Sequence, residues 1–123
     1  GPHVSAVVLT LINCFSNSTK YGIKNSEFTI ETKDLIENGY QITISNKISP
    51  YEVKKLNAGK LDNIISKLKE KNSQELLIEE GGTGLYKSLH LLQLASLGFE
   101  LSPKLEGNKF IVEIKYSEEN INR

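Results

Sequence analysis

Glu80-Gly81-Gly82-Thr83-Gly84-Leu85-Tyr86-Lys87-Ser88 sets three glycines within four residues at the head of what reads as an amphipathic helix, and the identity given to this stretch decides the fold. One reading is a P-loop, G-x-x-x-x-G-K-[ST]. Gly81, Lys87 and Ser88 match that pattern, and Leu76-Leu77-Ile78 would be the preceding strand. Tyr86, however, stands where the second glycine is required, and its side chain would crowd the tight backbone wrap. As a dinucleotide fingerprint the stretch fails as well, because Gly82-Thr83-Gly84 is followed by Lys87 in the place of the third glycine. Two readings remain. One is a glycine-rich helix start whose unpaired N–H groups and positive dipole end attract anions; the other is a flexible loop without a ligand.

Downstream of this stretch, Leu85, Leu89, Leu91, Leu92 and Leu94 predict a packed helix that ends near Ser96-Leu97-Gly98. Phe99 to Leu105 and Phe110 to Tyr116 then flank the turn signal Glu106-Gly107-Asn108, which predicts an antiparallel hairpin. Upstream, Glu52 to Lys71 is loosely helical, a helix or a mobile lid, and Pro50 is read as a break before it. Phe28 to Thr32 and Tyr40 to Ser45 alternate apolar with polar around Asn38-Gly39, a second hairpin. Val4, Val7, Val8, Leu11, Ile12 and Phe15 space a first helix over Val4 to Tyr21, with Gly22 as its stop. Helix, two strands, helical insert, helix, two strands is the order of an α/β (α+β) two-layer sandwich, with helices on one face of a mixed, mainly antiparallel sheet.

The chain of 123 residues has room for one domain, and 38% hydrophobic with 24% charged residues is ordinary for a globular protein. Fifteen basic residues balance fifteen acidic ones, so no basic excess supports long nucleic acids or an anionic membrane surface as partner. Cys14, lone and inside an apolar helical run, is a packing residue that fits a reducing, cytoplasmic setting. Gly1-Pro2-His3 reads as a scar of tag removal, residues 4–117 as one domain excised from a longer protein, and 118–123 as a polar tail that frays.

On the first helix Asn13, Asn17, Lys20 and Tyr21 fall on one polar stripe. Carboxamide oxygens suit a hard cation such as Mg²⁺, an ammonium suits phosphate, and a phenol ring can lie along a base. The competing reading is a solvated face. Taken with the glycines, Asn13-x-x-x-Asn17-x-x-Lys20-Tyr21-Gly22 resembles the N-box of the ATP-binding domains of the GHKL family (gyrase, heat-shock chaperone, histidine kinase, MutL). Gly82-x-Gly84-Leu85 resembles its G2 box, and the likeness runs over essentially Val4 to Tyr116.

The resemblance implies a Bergerat-type fold closest to the histidine-kinase branch, with ATP and Mg²⁺ as cofactors. It implies Asn17 as the metal ligand and Asn13 at the position where hydrolysing members carry a glutamate base. Lys20 and Tyr21 would lie at phosphates and base, Gly82, Thr83, Gly84 and Leu85 at the phosphates, Asn46 at adenine, and 47–80 would close as a lid. Where the family has Asp-x-Gly-x-Gly, this chain reads Asn46-Lys47-Ile48-Ser49-Pro50, which implies a weaker adenine acceptor. Partners implied are ATP or ADP and other domains or proteins, with a nucleotide-sensing pseudokinase or a plain interaction module as alternatives. His90, beside Leu89 and Leu91, is read as half-buried packing, and Glu79 and Glu80 as solvent-facing.

Overall fold

The structure, a computed structural model, describes residues 2–23, 26–36, 38–69 and 84–122. Helix α1 (Pro2–Tyr21) leads into strands β1 (Phe28–Leu35) and β2 (Gly39–Lys47). Helix α2 (Pro50–Lys55), a π-type turn (Leu56–Lys60) and helix α3 (Leu61–Lys69) follow, then helix α4 (Leu85–Ala95) and strands β3 (Phe99–Glu106) and β4 (Lys109–Ser117). The strands form one four-stranded sheet in the order β1-β2-β4-β3. Every pairing among the described residues is antiparallel, in keeping with the mainly antiparallel sheet expected.

Alternation along the strands builds a two-layer α+β sandwich. The register stacks Ile42, Ile114 and Leu101 in one row across the sheet, and Ile44, Val112 and Pro103 in the next. Apolar rows on one face must be covered, and α1 and α4 cover them: Ala6 and Cys14 join Leu85, Leu89 and Leu92 over Phe99, Ile44 and Ile114. Phe99, Ile44, Leu85, Leu92 and Ile114 are the largest wholly enclosed apolar side chains. Thr10, buried within α1, satisfies its hydroxyl on the Ala6 carbonyl at 2.9 Å. The opposite face is polar. There Gln41 donates to Glu113 at 2.8 Å, and Lys104 bridges Glu113 at 2.9 Å and Glu106 at 3.4 Å.

Local chemistry explains the boundaries. Asn38, with φ 59°, supplies the left-handed residue of a three-residue hairpin loop, because Leu35 pairs directly with Gly39. Gly107, φ 59°, supplies the left-handed residue of a two-residue loop between the paired residues Glu106 and Lys109. Pro50 does not break regularity as expected: it is the first residue of α2, where a missing N–H is harmless. Ser49 caps that helix by accepting the Glu52 N–H at 3.2 Å, the S-x-x-E pattern of a capping box. The helix-or-lid segment is therefore helical through Lys69, kinked at Gly59 (φ 128°). Its remainder, residues 70–80, lies outside the described residues. In the polar tail Glu118–Asn122 turn as a 3-10 helix, with the Ser117 hydroxyl accepting from the Glu119 N–H at 3.3 Å. Pro2 and His3, set aside as a scar, belong to α1, and the His3 ring meets Phe99 and Tyr116 edge-on at 5.2 and 5.0 Å.

Candidate functional site

The inward-facing positions of β2 run Tyr40, Ile42, Ile44, Asn46, and the last of them lies in a row with Phe28 and Phe110. At this end of the sheet the apolar pattern gives way to a carboxamide, and a pocket opens. Asn46 lines it with Asn17 and Tyr21 of α1 and with Glu52, Leu56, Lys60 and Ile64 of the α2 to α3 segment; Ile48 and Phe110 complete the wall. The floor is apolar and the polar groups are few, as in small-molecule sites.

Each wall has a local cause. α1 ends at Tyr21 because the Gly22 N–H closes on the Ser18 carbonyl at 2.9 Å, and Gly22 then bridges Ile48 beyond the end of β2. A Cβ at Gly22 would overlap the Ser18 carbonyl oxygen, so only glycine permits this approach. Ile48 in turn donates its N–H to the Asn108 carbonyl at 2.8 Å, which ties the pocket wall to the β3–β4 turn. The glycine-free sequence after Asn46 thus makes a short strand-to-helix link, with Ile48 buried and Ser49 capping α2.

Electrostatics gather at the Tyr21 ring. The Lys20 ammonium lies 5.3 Å and the Lys60 ammonium 4.8 Å from its centroid, within cation–π range. Glu52 holds Lys60 at 3.7 Å and Lys55 at 4.0 Å. Asn46 donates its side-chain N–H to the Lys47 carbonyl at 3.3 Å, so its amide oxygen remains the accepting end.

The glycine stretch meets α1 at Asn13. Gly84 caps α4 in the left-handed region (φ 66°, ψ 3°), and a Cβ there would overlap the Asn13 carboxamide. Asn13 donates to the Ser88 hydroxyl at 2.9 Å, and Ser88 donates to the Gly84 carbonyl at 3.1 Å. One relay of hydrogen bonds therefore fastens the middle of α1 to the first turn of α4, an 11-residue helix.

Of the residues singled out in the sequence, Asn17, Tyr21 and Asn46 line one pocket, Lys20 overhangs its tyrosine, and Asn13 sits against Gly84. Leu85 is 0% exposed and part of the core, so its side chain anchors α4 rather than reaching the pocket. His90 is half-buried on α4. Gly82 and Thr83, together with Gly81, Glu79 and Glu80, lie outside the described residues. Sequence reasoning passed over Glu52, Lys60 and Phe110 in the walls and Ser88 beneath Asn13. The capping pattern Ser49-Pro50-Tyr51-Glu52 could have located α2 and so Glu52, whereas the Asn13 to Ser88 contact spans 75 positions and leaves no local signal. Among the described residues no group of three His, Cys, Asp or Glu gathers to hold a metal, and no helix is long and apolar enough to cross a membrane.

No family model matches the chain, and no curated protein matches it. Among solved structures it is similar to the Acinetobacter baumannii histidine kinase AdeS, with a TM-score of 0.57 at 17% sequence identity. The alignment covers 97% of this chain and 47% of that one, so this chain spans about half the length of the kinase it matches. At this identity the likeness speaks for a kinase-like fold.

Proposed function

We propose that this domain binds ATP with Mg²⁺ as the nucleotide-holding part of a histidine-kinase-like protein of the GHKL type. The observation that supports the reading most is convergence: Asn17, Tyr21 and Asn46, from two elements, line one apolar-floored pocket, while Asn13 of the same helix rests on Gly84 at the head of α4. In this reading Tyr21 and the apolar wall receive the base, and Asn46 accepts from its amino edge. Asn17 offers a neutral oxygen of the kind Mg²⁺ takes together with waters and phosphate oxygens. Lys20 and the N–H groups at the start of α4 neutralise and orient the phosphates. When bound, ATP would supply the phosphoryl group, and a domain that positions it and neutralises its charge meets the main demands of phosphoryl transfer.

A second reading, nucleotide sensing without turnover, is favoured by Asn13. A carboxamide cannot take a proton from water as a carboxylate can, and this one is engaged with Ser88 at 2.9 Å. Titration calorimetry with ATP and ADP, with and without Mg²⁺, tests the proposal. Binding is expected to be Mg²⁺-dependent, with Asn17→Ala removing that dependence while leaving metal-free binding in place. No heat of binding at millimolar nucleotide would refute it. ATP turnover by the full-length protein would then separate a kinase from a sensor.

A further inference from the structure

We infer that Lys60 competes with the base for the face of Tyr21: its ammonium holds the ring where a stacked base would lie, and a base enters by displacing it. The inference rests on the nucleotide-binding reading above, in which Tyr21 receives the base. Lys60 and Tyr21 line the same pocket from different elements, and the ammonium stands over the ring, 4.8 Å from its centroid. Stacked aromatic rings keep their centroids about 4.5–7 Å apart, so a base on that face needs the space the ammonium fills. Glu52 of α2, its side chain only 14% exposed, steadies the ammonium from 3.7 Å. One lysine thus joins α1, α2 and the end of the π-type turn.

The hold is of a strength that a base can overcome. A cation–π contact and an ion pair between partly exposed groups each contribute modestly, and this ion pair is longer than a hydrogen bond and shared with Lys55 at 4.0 Å. The backbone beside Lys60 also leaves it room to swing: Gly59 holds φ 128°, no atom lies within 4 Å of where its Cβ would stand, and Leu56 is the buried residue that anchors the turn. Lys20 approaches the same ring at 5.3 Å but is its neighbour on α1, whereas Lys60 belongs to a separate element and can part from it. Once displaced, the Lys60 ammonium keeps Glu52 as its counterion, so the base competes for the ring alone and strands no charge.

The test uses calorimetry with adenosine, which carries the base without phosphates and so is not drawn to the ammonium, and with ATP as a separate check of the site. Lys60→Gln, which removes the cation at similar length, should bind adenosine roughly 2- to 10-fold more tightly than the unaltered protein, the worth of one cation–π contact. Lys60→Arg, whose guanidinium also lies on aromatic faces, should bind it no more tightly than the unaltered protein. By NMR, the Lys60 side-chain protons of the unaltered protein should show an upfield ring-current shift that Tyr21→Leu abolishes and saturating adenosine relieves. If ATP does not bind the unaltered protein at millimolar concentration, the nucleotide reading falls and this inference with it. If ATP binds but Lys60→Gln holds adenosine no more tightly than the unaltered protein, undetectable binding in both included, only the role of Lys60 falls. The same follows if Lys60→Arg gains as much as Lys60→Gln, or if the upfield shift is absent or persists with adenosine bound.

Discussion

Gly84 and Asn13 form a contact in which each residue constrains the other. Gly84 needs its identity twice, for a φ of 66° and for the space the Asn13 carboxamide occupies. Gly84→Ala should destabilise the domain by about 1–3 kcal/mol in urea unfolding. Asn13→Ala should cost about 1 kcal/mol through the lost bond to Ser88. The double variant should lie below the sum, because removing the carboxamide clears the space and leaves only the backbone strain; strict additivity would show that the two do not meet. Cys14 makes a second residue-scale prediction. Burial pushes its thiol from the usual 9.0 up to about 12, so the folded chain keeps a proton that the unfolded chain gives up between those values. Stability conferred by the neutral thiol is thus complete below pH 9 and shrinks as pH rises, by about 1.4 kcal/mol at pH 10. Chemical denaturation at pH 8 and pH 10 should show that loss in the unaltered protein and its absence in Cys14→Ala.

At the scale of elements, α2 is short and has no buried residue of its own, so its position depends heavily on its cap. Ser49→Ala should cost about 1 kcal/mol and lower hydrogen-exchange protection across residues 52–56, the wall that carries Glu52, with α1 and the sheet unaffected. Unchanged protection there would show that the π-type turn and α3 hold the segment without the cap. The element also marks where the sequence was hard to read. Pro50 has opposite meanings inside a helix and at its first position, and only the preceding Ser49 with Glu52 three residues on distinguishes them. By contrast the two hairpins were legible to within a few residues, since alternation and the left-handed turn residues Asn38 and Gly107 act over short spans. In α1 the polar stripe was legible as a stripe, but nothing in residues 13 to 21 distinguishes a wet face from one that meets a pocket and another helix. That distinction is made by Ser88, Asn46 and Glu52, brought there by folding.

For the whole molecule, element order was enough to predict two layers, because helices with one apolar stripe and strands with one apolar face have few ways to hide both. Strand order was not predictable in the same way: β2 and β4 meet at the centre although about sixty residues separate them, a pairing that rests on the matched rows Ile42–Ile114 and Ile44–Val112. The same order leaves β1 and β3 at the rims of this four-stranded sheet. Along β1 the side chains of Glu31, Lys33 and Asp34 are exposed, and within β3 Pro103 offers no backbone N–H. The sheet is in this respect like a polymer with both growing tips blocked: charge discourages addition at one end, and a missing donor interrupts it at the other. Among the described residues, then, neither rim offers a neighbouring chain both an uncharged face and an unbroken row of backbone donors.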